Sequence, residues 1–342
     1  MTNTNTTLAA FQNPDLTFGV EIETYLASGS RYDLAVKVAG DVFPGATVAY
    51  GVGMGRVLLT AADGRVWTFM SDASIEGGVE CEIVSPVLTL ADMATVQNVA
   101  RSAKRHGAKI NASCGIHVHV GAKPLYERGP AAFANLINLW GRFEALTLPH
   151  VVDRPGTRWA RPMNARLRDA AKAGKIKSDL DLRTAWYGTA DSYAHTSHYD
   201  SSRYAALNLH NLWFRSGNAR TVEFRCFNGT LHAGKIRAYV TLCLAVVGHA
   251  VAARHVRRDD RAFDLEWTGY AIVQLFKTVG LTGSHSGLAA VRAHLSALGK
   301  GHSGHASPAR CLAWAVRHGR NVDAIVWPAS FDVAAERARL AL

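Results

Sequence analysis

Four stretches of this chain repeat one pattern: two chemically capable polar side chains at i and i+2 with an apolar residue between them. They are Val20-Glu21-Ile22-Glu23, Val79-Glu80-Cys81-Glu82-Ile83, Ile116-His117-Val118-His119-Val120 and Val222-Glu223-Phe224-Arg225. Successive side chains of a β-strand point to opposite faces. Each polar pair therefore shares one face of its strand, and the apolar neighbours share the other. A sheet built from such strands has an apolar back that must be covered and a front of Glu, His and Arg. One such pair alone is ordinary; an exposed E-x-R, for instance, is usually a surface ion pair of little energy. Four in one chain, each on a strand-like segment, point to a sheet with a chemically loaded face.

The rest of the pattern surrounds that sheet with helices. Strands are predicted over Phe18–Leu26, Val57–Ala61, Arg65–Met70, Val79–Val84, Ile116–Val120, Arg203–Asn208 and Thr221–Phe227, with an Asp63-Gly64 turn marking a hairpin. Helical periodicity covers Asp33–Val42, Leu90–His106, Pro130–Leu148 and Ala238–Ala253. The mixture predicts an α+β fold with an antiparallel sheet. The expected organisation is a polar tail over 1–15, a main domain over 16–255 and a helical region over 256–342.

A hydrophobic fraction of 48% against 19% charged residues is enough for a real core. The formal net charge of +11 favours anionic partners. Much of it lies in 154–177, where Arg154, Arg158, Arg161, Arg166, Arg168, Lys172, Lys175 and Lys177 face one acid, Asp169. This segment reads as mobile and exposed. Five cysteines without a CxxC pair argue for a reducing compartment. The first residues lack the basic-then-apolar order of a leader, and the longest apolar run, Tyr239–Ala253, is broken by His249 and reads as too short to span a membrane. The expectation is a cytoplasmic protein without a membrane partner.

Carboxylates side by side repel, and burying several without a cation is costly. A front of Glu with one or two His suits Mg²⁺ or Mn²⁺ better than Zn²⁺. An arginine beside it fits phosphate through its planar fork. The chain has no P-loop, and Gly51-Val52-Gly53-Met54-Gly55-Arg56 is not a dinucleotide fingerprint, since Arg56 takes the last glycine position and a strand follows. Cys114 beside the H-x-H strand is a weak nucleophile candidate, because nothing nearby lowers its pKa. His195 and His198 read as part of a polar loop flanking the front.

The ordered segments FGVEIE (18–23), SDASIEGGVECEIVSPVL (71–88), CGIHVHVG (114–121), SRYAALNL (202–209) and RTVEFRCFNGTL (220–231) resemble the amidoligases of the glutamine-synthetase-like superfamily of carboxylate–amine ligases. The resemblance spans roughly 18–250. It implies a glutamine-synthetase-like antiparallel sheet that cups ATP and two metal ions and is flanked by helices. By that analogy Glu21 shares one ion with His117 and Glu223, near the ATP phosphates. Glu23 and Glu80 hold the other, with Glu82 as a further candidate. Arg225 matches a phosphate-contacting arginine, Arg203 and Asn208 a substrate- or phosphate-side motif, and Asp72 an acid that orients an amine or caps its turn.

The implied activity is ATP- and Mg²⁺-dependent amide formation through an acyl phosphate. Its partners would be small-molecule or peptide carboxylates and amines, or a polyanionic or protein-bound acceptor steered by the basic segment. Two other readings stand beside it. A metal-dependent hydrolase would use the same surface without ATP, and a nucleic-acid-binding protein would account for the charge but not for the four polar pairs.

Overall fold

The apolar members of the four pairs are dry: Val20, Ile22, Cys81, Ile83, Ile116, Val118, Val120, Val222 and Phe224 are all buried. The computed structural model describes residues 13–53, 55–151, 159–190, 193–256 and 275–281, with scattered positions from 289 to 339, of which 331–339 is the longest run. Nine strands among them make one sheet. They are β1 (Phe18–Leu26), β2 (Thr47–Tyr50), β3 (Val57–Thr60), β4 (Val66–Met70), β5 (Val79–Val84), β6 (Ala108–Lys109), β7 (Gly115–Gly121), β8 (Leu207–Asn208) and β9 (Thr221–Asn228). The order is β2-β3-β4-β5-β1-β7-β9-β8, with β6 paired to the end of β1. Every pairing is antiparallel.

Helices cover the apolar back. The described helices, in chain order, are α1 (Arg31–Val42), α2 (Met93–Arg105), α3 (Lys123–Arg128), α4 (Pro130–Val151), α5 (Ala165–Lys172), α6 (Asp179–Tyr187), α7 (Asn211–Phe214), α8 (Ala233–Ala252) and α9 (Val333–Arg339). Helix α1 lies on β2, β3 and β4, α8 on β7 and β1, and α4 on β9, while α2 packs between α1 and α8. The α+β expectation with an antiparallel sheet is met.

Helix α8 is longer than the sequence reading allowed. It runs 20 residues and has the length and apolarity to cross a membrane, but 72% of its most apolar stretch is buried inside the fold. Tyr239 stacks on Phe227 of β9 at 4.3 Å between ring centroids. Such a helix is apolar all round because it is packed all round.

Two other expectations change in detail. The strand expected over 203–208 shrinks to Leu207–Asn208. Asp200 accepts a hydrogen bond from the Ser202 amide and starts a 3-10 turn at Ser201–Tyr204, which diverts the backbone before it can pair. The helix expected from Leu90 starts as a 3-10 turn at Leu90–Asp92 and becomes α-helical at Met93. In the basic segment, residues 152–158 lie outside the described residues. Beyond them, Arg161, Arg166, Lys172, Lys175 and Lys177 are exposed, but Met163, Leu167, Ala171 and Ile176 are buried, so this stretch has a packed underside. The loop 51–56 joins β2 to β3 and starts no helix, as its sequence implies.

Candidate active site

Strand register assembles the front. Glu21 pairs with His117 across β1 and β7, and Glu23 faces Glu82 across β1 and β5. His119 faces Glu223 across β7 and β9, and Asn208 faces Glu223 across β8 and β9. Four neighbouring strands and short β8 thus line up one polar row.

The contacts are short. Glu21 takes His117 Nδ1 on Oε2 at 2.8 Å and His119 Nε2 on Oε1 at 3.0 Å. Both of these nitrogens lie 3.8 Å from Glu223 Oε1, and His117 Nε2 lies 3.4 Å from Glu23 Oε1. Arg225 Nη1 donates to Glu223 Oε1 at 2.5 Å, and Asn208 Nδ2 donates to Oε2 at 2.8 Å. Asn211 Nδ2 adds a third contact to Glu223 at 3.3 Å. The Gly115 amide donates to Glu23 Oε2 at 2.5 Å. A Cβ at 115 would sit 3.3 Å from the same oxygen, so a larger residue there would push the carboxylate aside by a few tenths of an ångström.

A bulge aims Arg225. Between the Ile116–Phe227 and Val118–Phe224 pairs, β7 advances two residues and β9 three. The extra residue lets Phe224 and Phe227 both reach the core at a spacing no regular strand puts on one face. Arg225 lies in this bulge with its side chain only 9% exposed.

Three groups of potential metal ligands lie along the row, each with its donor atoms within 4.8 Å of one another: Glu21, His119 and Glu223; Glu21, Glu82 and His117; and Glu23, Asp72 and Glu82. The first two share Glu21 and the last two share Glu82. Five carboxylates against one arginine and two imidazoles leave a deficit of positive charge. Its effect shows at Glu82, where burial, then the charges of Glu21, Asp72 and Glu23, push the carboxyl well above its ordinary range. Shielding from water would also raise Glu21 and Glu223. In Glu21 the charge of His119 and hydrogen bonds from both imidazoles prevail and hold the carboxyl well below normal. In Glu223 the charge of Arg225, then that of His119, brings the carboxyl below normal. Burial would lower His119, but the charges of Glu223 and Glu21 raise it. The imidazoles fill the positive role here, and these groups could hold a divalent cation, for which an oxygen-rich donor set with imidazole is of the Mg²⁺ or Mn²⁺ type.

Of the residues singled out in the sequence, Glu21, Glu23, His117, Glu223, Arg225, Asp72 and Asn208 come together here. Asp72 also caps its turn through the Ser74 amide at 2.7 Å. Glu80 falls outside the three groups. It pairs with Tyr25, two residues along β1 from Glu23, and its carboxylate takes the Ser71 hydroxyl. Arg203 is tied to His198, through Nη1 to Nε2 at 3.1 Å and to the carbonyl at 2.9 Å. His195 lies in a 3-10 turn, Tyr193–Thr196. Cys114 is buried. The sequence reading left Glu82 as a further candidate and gave His119 no ligand role. The i, i+2 rule did put both on the front, but only the register of β5 separates Glu82 from Glu80. It missed His210 and Asn211 outright, since neither belongs to a polar pair.

A family model described as putative amidoligase enzyme matches residues 14–247. The chain belongs to that family. The matched span contains all nine strands and every member of the polar row. No curated protein matches the chain. Membership makes this amidoligase-family protein a ligase of amide bonds by its family's description.

Proposed function

We propose that the chain is an ATP- and Mg²⁺- or Mn²⁺-dependent carboxylate–amine ligase that works through an acyl phosphate on a glutamine-synthetase-like sheet. The observation that carries this reading is the string of three ligand groups joined through Glu21 and Glu82, with Arg225 on the glutamate at one end. Two ions held by Glu21, His117, His119 and Glu223, and by Glu23, Asp72 and Glu82, would neutralise the phosphates of ATP and the acceptor carboxylate.

A carboxylate and an amine do not condense unaided, because oxide is a poor leaving group. An acceptor oxygen attacks the γ-phosphorus, its bond to the bridging oxygen breaks, and ADP leaves. The amine nitrogen then attacks the acyl carbon, phosphate leaves, and the nitrogen gives up a proton. The protein's share is positioning and charge. Arg225, fixed on Glu223, offers its remaining N–H donors to the transferring group. Asn208 holds Glu223 from the other side. Asp72 and Glu82 belong to the group that excludes Glu223 and take the amine end, where a carboxyl raised by its surroundings is suited to accept a proton.

Calorimetry tests this with ATP plus Mg²⁺, ATP plus chelator, and the Glu223→Gln variant. Binding that needs both metal and Glu223, followed by ADP release with a carboxylate and an amine, is expected. Absence of nucleotide binding under all conditions would remove the phosphoryl-transfer step and favour a metal-dependent hydrolase.

A further inference from the structure

A cavity of about 330 Å³ opens beside α5, α6 and the 201–204 turn. Arg161, Arg166, Trp186, Tyr187, Asp200 and Ser202 are among the residues lining it. Its size is at the small end of the roughly 300–1,000 Å³ typical of small-molecule sites. Its chemistry is mixed: two guanidinium forks, one carboxylate, hydroxyls and aromatic walls.

Each fork has a backbone anchor. Arg161 Nη2 donates to the Ser201 carbonyl at 2.5 Å, and Arg166 Nε to the Ala185 carbonyl at 3.3 Å. Arg166 lies flat on Gly188, the C-cap of α6 with φ 96°, where a Cβ would sit 2.8 Å from the guanidinium carbon. Each guanidinium has five N–H donors, so one anchoring bond leaves most of the fork for a planar anion. On the wall, Trp186 Nε1 donates to Ser202 Oγ at 2.9 Å, and Asp200 accepts from the Ser202 amide through Oδ1.

The cavity is also wired to the polar row. His210 Nε2 contacts the Ser197 carbonyl at 2.9 Å, so that nitrogen carries the proton and Nδ1 accepts from the Tyr187 hydroxyl at 2.6 Å. The His210 amide donates to Asn208 Oδ1, and Asn208 Nδ2 donates to Glu223, both at 2.8 Å. His210, Asn208 and Glu223 are at most 3% exposed. A dry, three-bond path therefore joins a residue of the cavity wall to the carboxylate beside Arg225.

We propose that this cavity binds the head group of an α-amino-acid substrate, its carboxylate on Arg161 and Arg166 and its ammonium on Asp200. Two guanidinium forks and one acid lining the same cavity complement a carboxylate next to an ammonium better than a bare anion, and the aromatic walls take the aliphatic portion. The assignment deepens the ligase reading, which requires a carboxylate and an amine but names neither.

The test is calorimetry on the full chain, without ATP or divalent metal, against each of the standard amino acids, succinate and inorganic phosphate. At least one amino acid should bind saturably while succinate and phosphate do not. Asp200→Asn keeps the Ser202 cap and should weaken that binding about tenfold or more by removing the charge opposite the ammonium, and Arg161→Gln/Arg166→Gln should abolish it. Amino acids that fail to bind, equal binding of succinate or phosphate, or binding unchanged by Asp200→Asn would overturn the proposal. Such a failure leaves Mg²⁺–ATP binding at the polar row intact, whereas failure of the ligase reading shows as loss of that binding with the amino-acid signal unaffected.

Discussion

Glu23 and Glu82 lie directly opposite each other on antiparallel neighbours, 3% and 7% exposed. Like charges in that position destabilise a sheet. Glu82 carries the strain, as its carboxyl is held well above the ordinary range first by burial and then by its acidic neighbours. A carboxyl raised in the folded state gives stability that is fully present below its unfolded pKa and is lost as pH rises through the folded value. Glu82→Gln should therefore raise the Tm of metal-free protein at pH 8 by a few degrees, about 2–4 °C per kcal/mol relieved in a domain of this size. The gap to wild type should close as pH is lowered toward the ordinary carboxylate range. Added Mg²⁺ should stabilise wild type more than the variant, which keeps the Glu21, His119 and Glu223 group but loses a ligand of the other. Calorimetric melts at several pH values decide it, and a variant that melts below wild type at pH 8 without metal would refute the like-charge account.

Asn208 is a positioning residue. It bridges the His210 amide to Glu223 through two buried hydrogen bonds. Asn208→Ala should lower metal affinity by about 10- to 100-fold, the usual effect of losing a group that orients a ligand. Manganese titration followed by electron paramagnetic resonance gives the affinity directly. A variant that melts lower but binds manganese as wild type does would reduce Asn208 to a structural residue.

Two glycines should separate site from scaffold. A Cβ at Gly229 would sit 2.7 Å from Cys114 Cβ and 2.8 Å from its carbonyl oxygen, with no flexible group to give way. Gly229→Ala should cost about 1–3 kcal/mol by overpacking. At Gly115 the closest atoms are Glu23 Oε2 at 3.3 Å and His117 Nε2 at 3.4 Å. Gly115→Ala should melt near wild type yet bind metal more weakly, because it displaces a ligand. Denaturant unfolding paired with metal titration distinguishes the two, and the reverse pattern would contradict this assignment.

The four strands with polar pairs and their loaded face were legible because alternation is a local property: Val20, Ile22, Glu21 and Glu23 sort by face wherever β1 sits, whereas β2 (Thr47–Tyr50) and β6 (Ala108–Lys109) were not read. What neighbours do to one another was less so. Glu80 and Glu82 share a face, and only the pairing of β5 with β1, reached through the turn at Gly77 and Gly78, puts Glu82 opposite Glu23 and Glu80 opposite Tyr25. The bulge that aims Arg225 left a trace in the sequence, two core phenylalanines three apart at 224 and 227. The turn at 201–204 was missed because the Asp200 side chain competes locally with strand pairing, a contest that apolar pattern does not register. His210 and Asn211 act through side-chain bonds to residues of the front and leave no periodic signal at all.

The thiols give a simple negative control for catalysis by cysteine. Cys81, Cys114, Cys226 and Cys243 are buried. Burial pushes Cys81 up to about 12 and raises Cys226 and Cys243 as well. A thiol so held is neither ionised nor accessible. In native protein a chromogenic disulfide reagent should titrate no more than one of the five cysteines rapidly, and Cys114→Ser should retain ligase activity. Rapid labelling at Cys114 with loss of turnover would reopen the nucleophile reading.

Metal binding should depend on pH in a direction the charges already set. His119 is raised by the charges of Glu223 and Glu21, so its protonated form contributes stability that is fully present below its unfolded pKa and lost as pH rises through the folded one. A cation bound to the Glu21, His119 and Glu223 group must displace that proton, and one bound near Glu82 must displace the proton that burial favours there. Affinity for Mn²⁺ should therefore rise with pH from the weakly acidic range to above neutrality, with protons released on binding. His119→Asn removes one titrating ligand and should flatten the curve as well as weaken binding, whereas Glu82→Gln should flatten it by removing the other. Calorimetry in buffers of different ionisation enthalpy counts the protons released. Affinity that is constant across this range, with no proton release, would mean that the ion binds elsewhere than on this row.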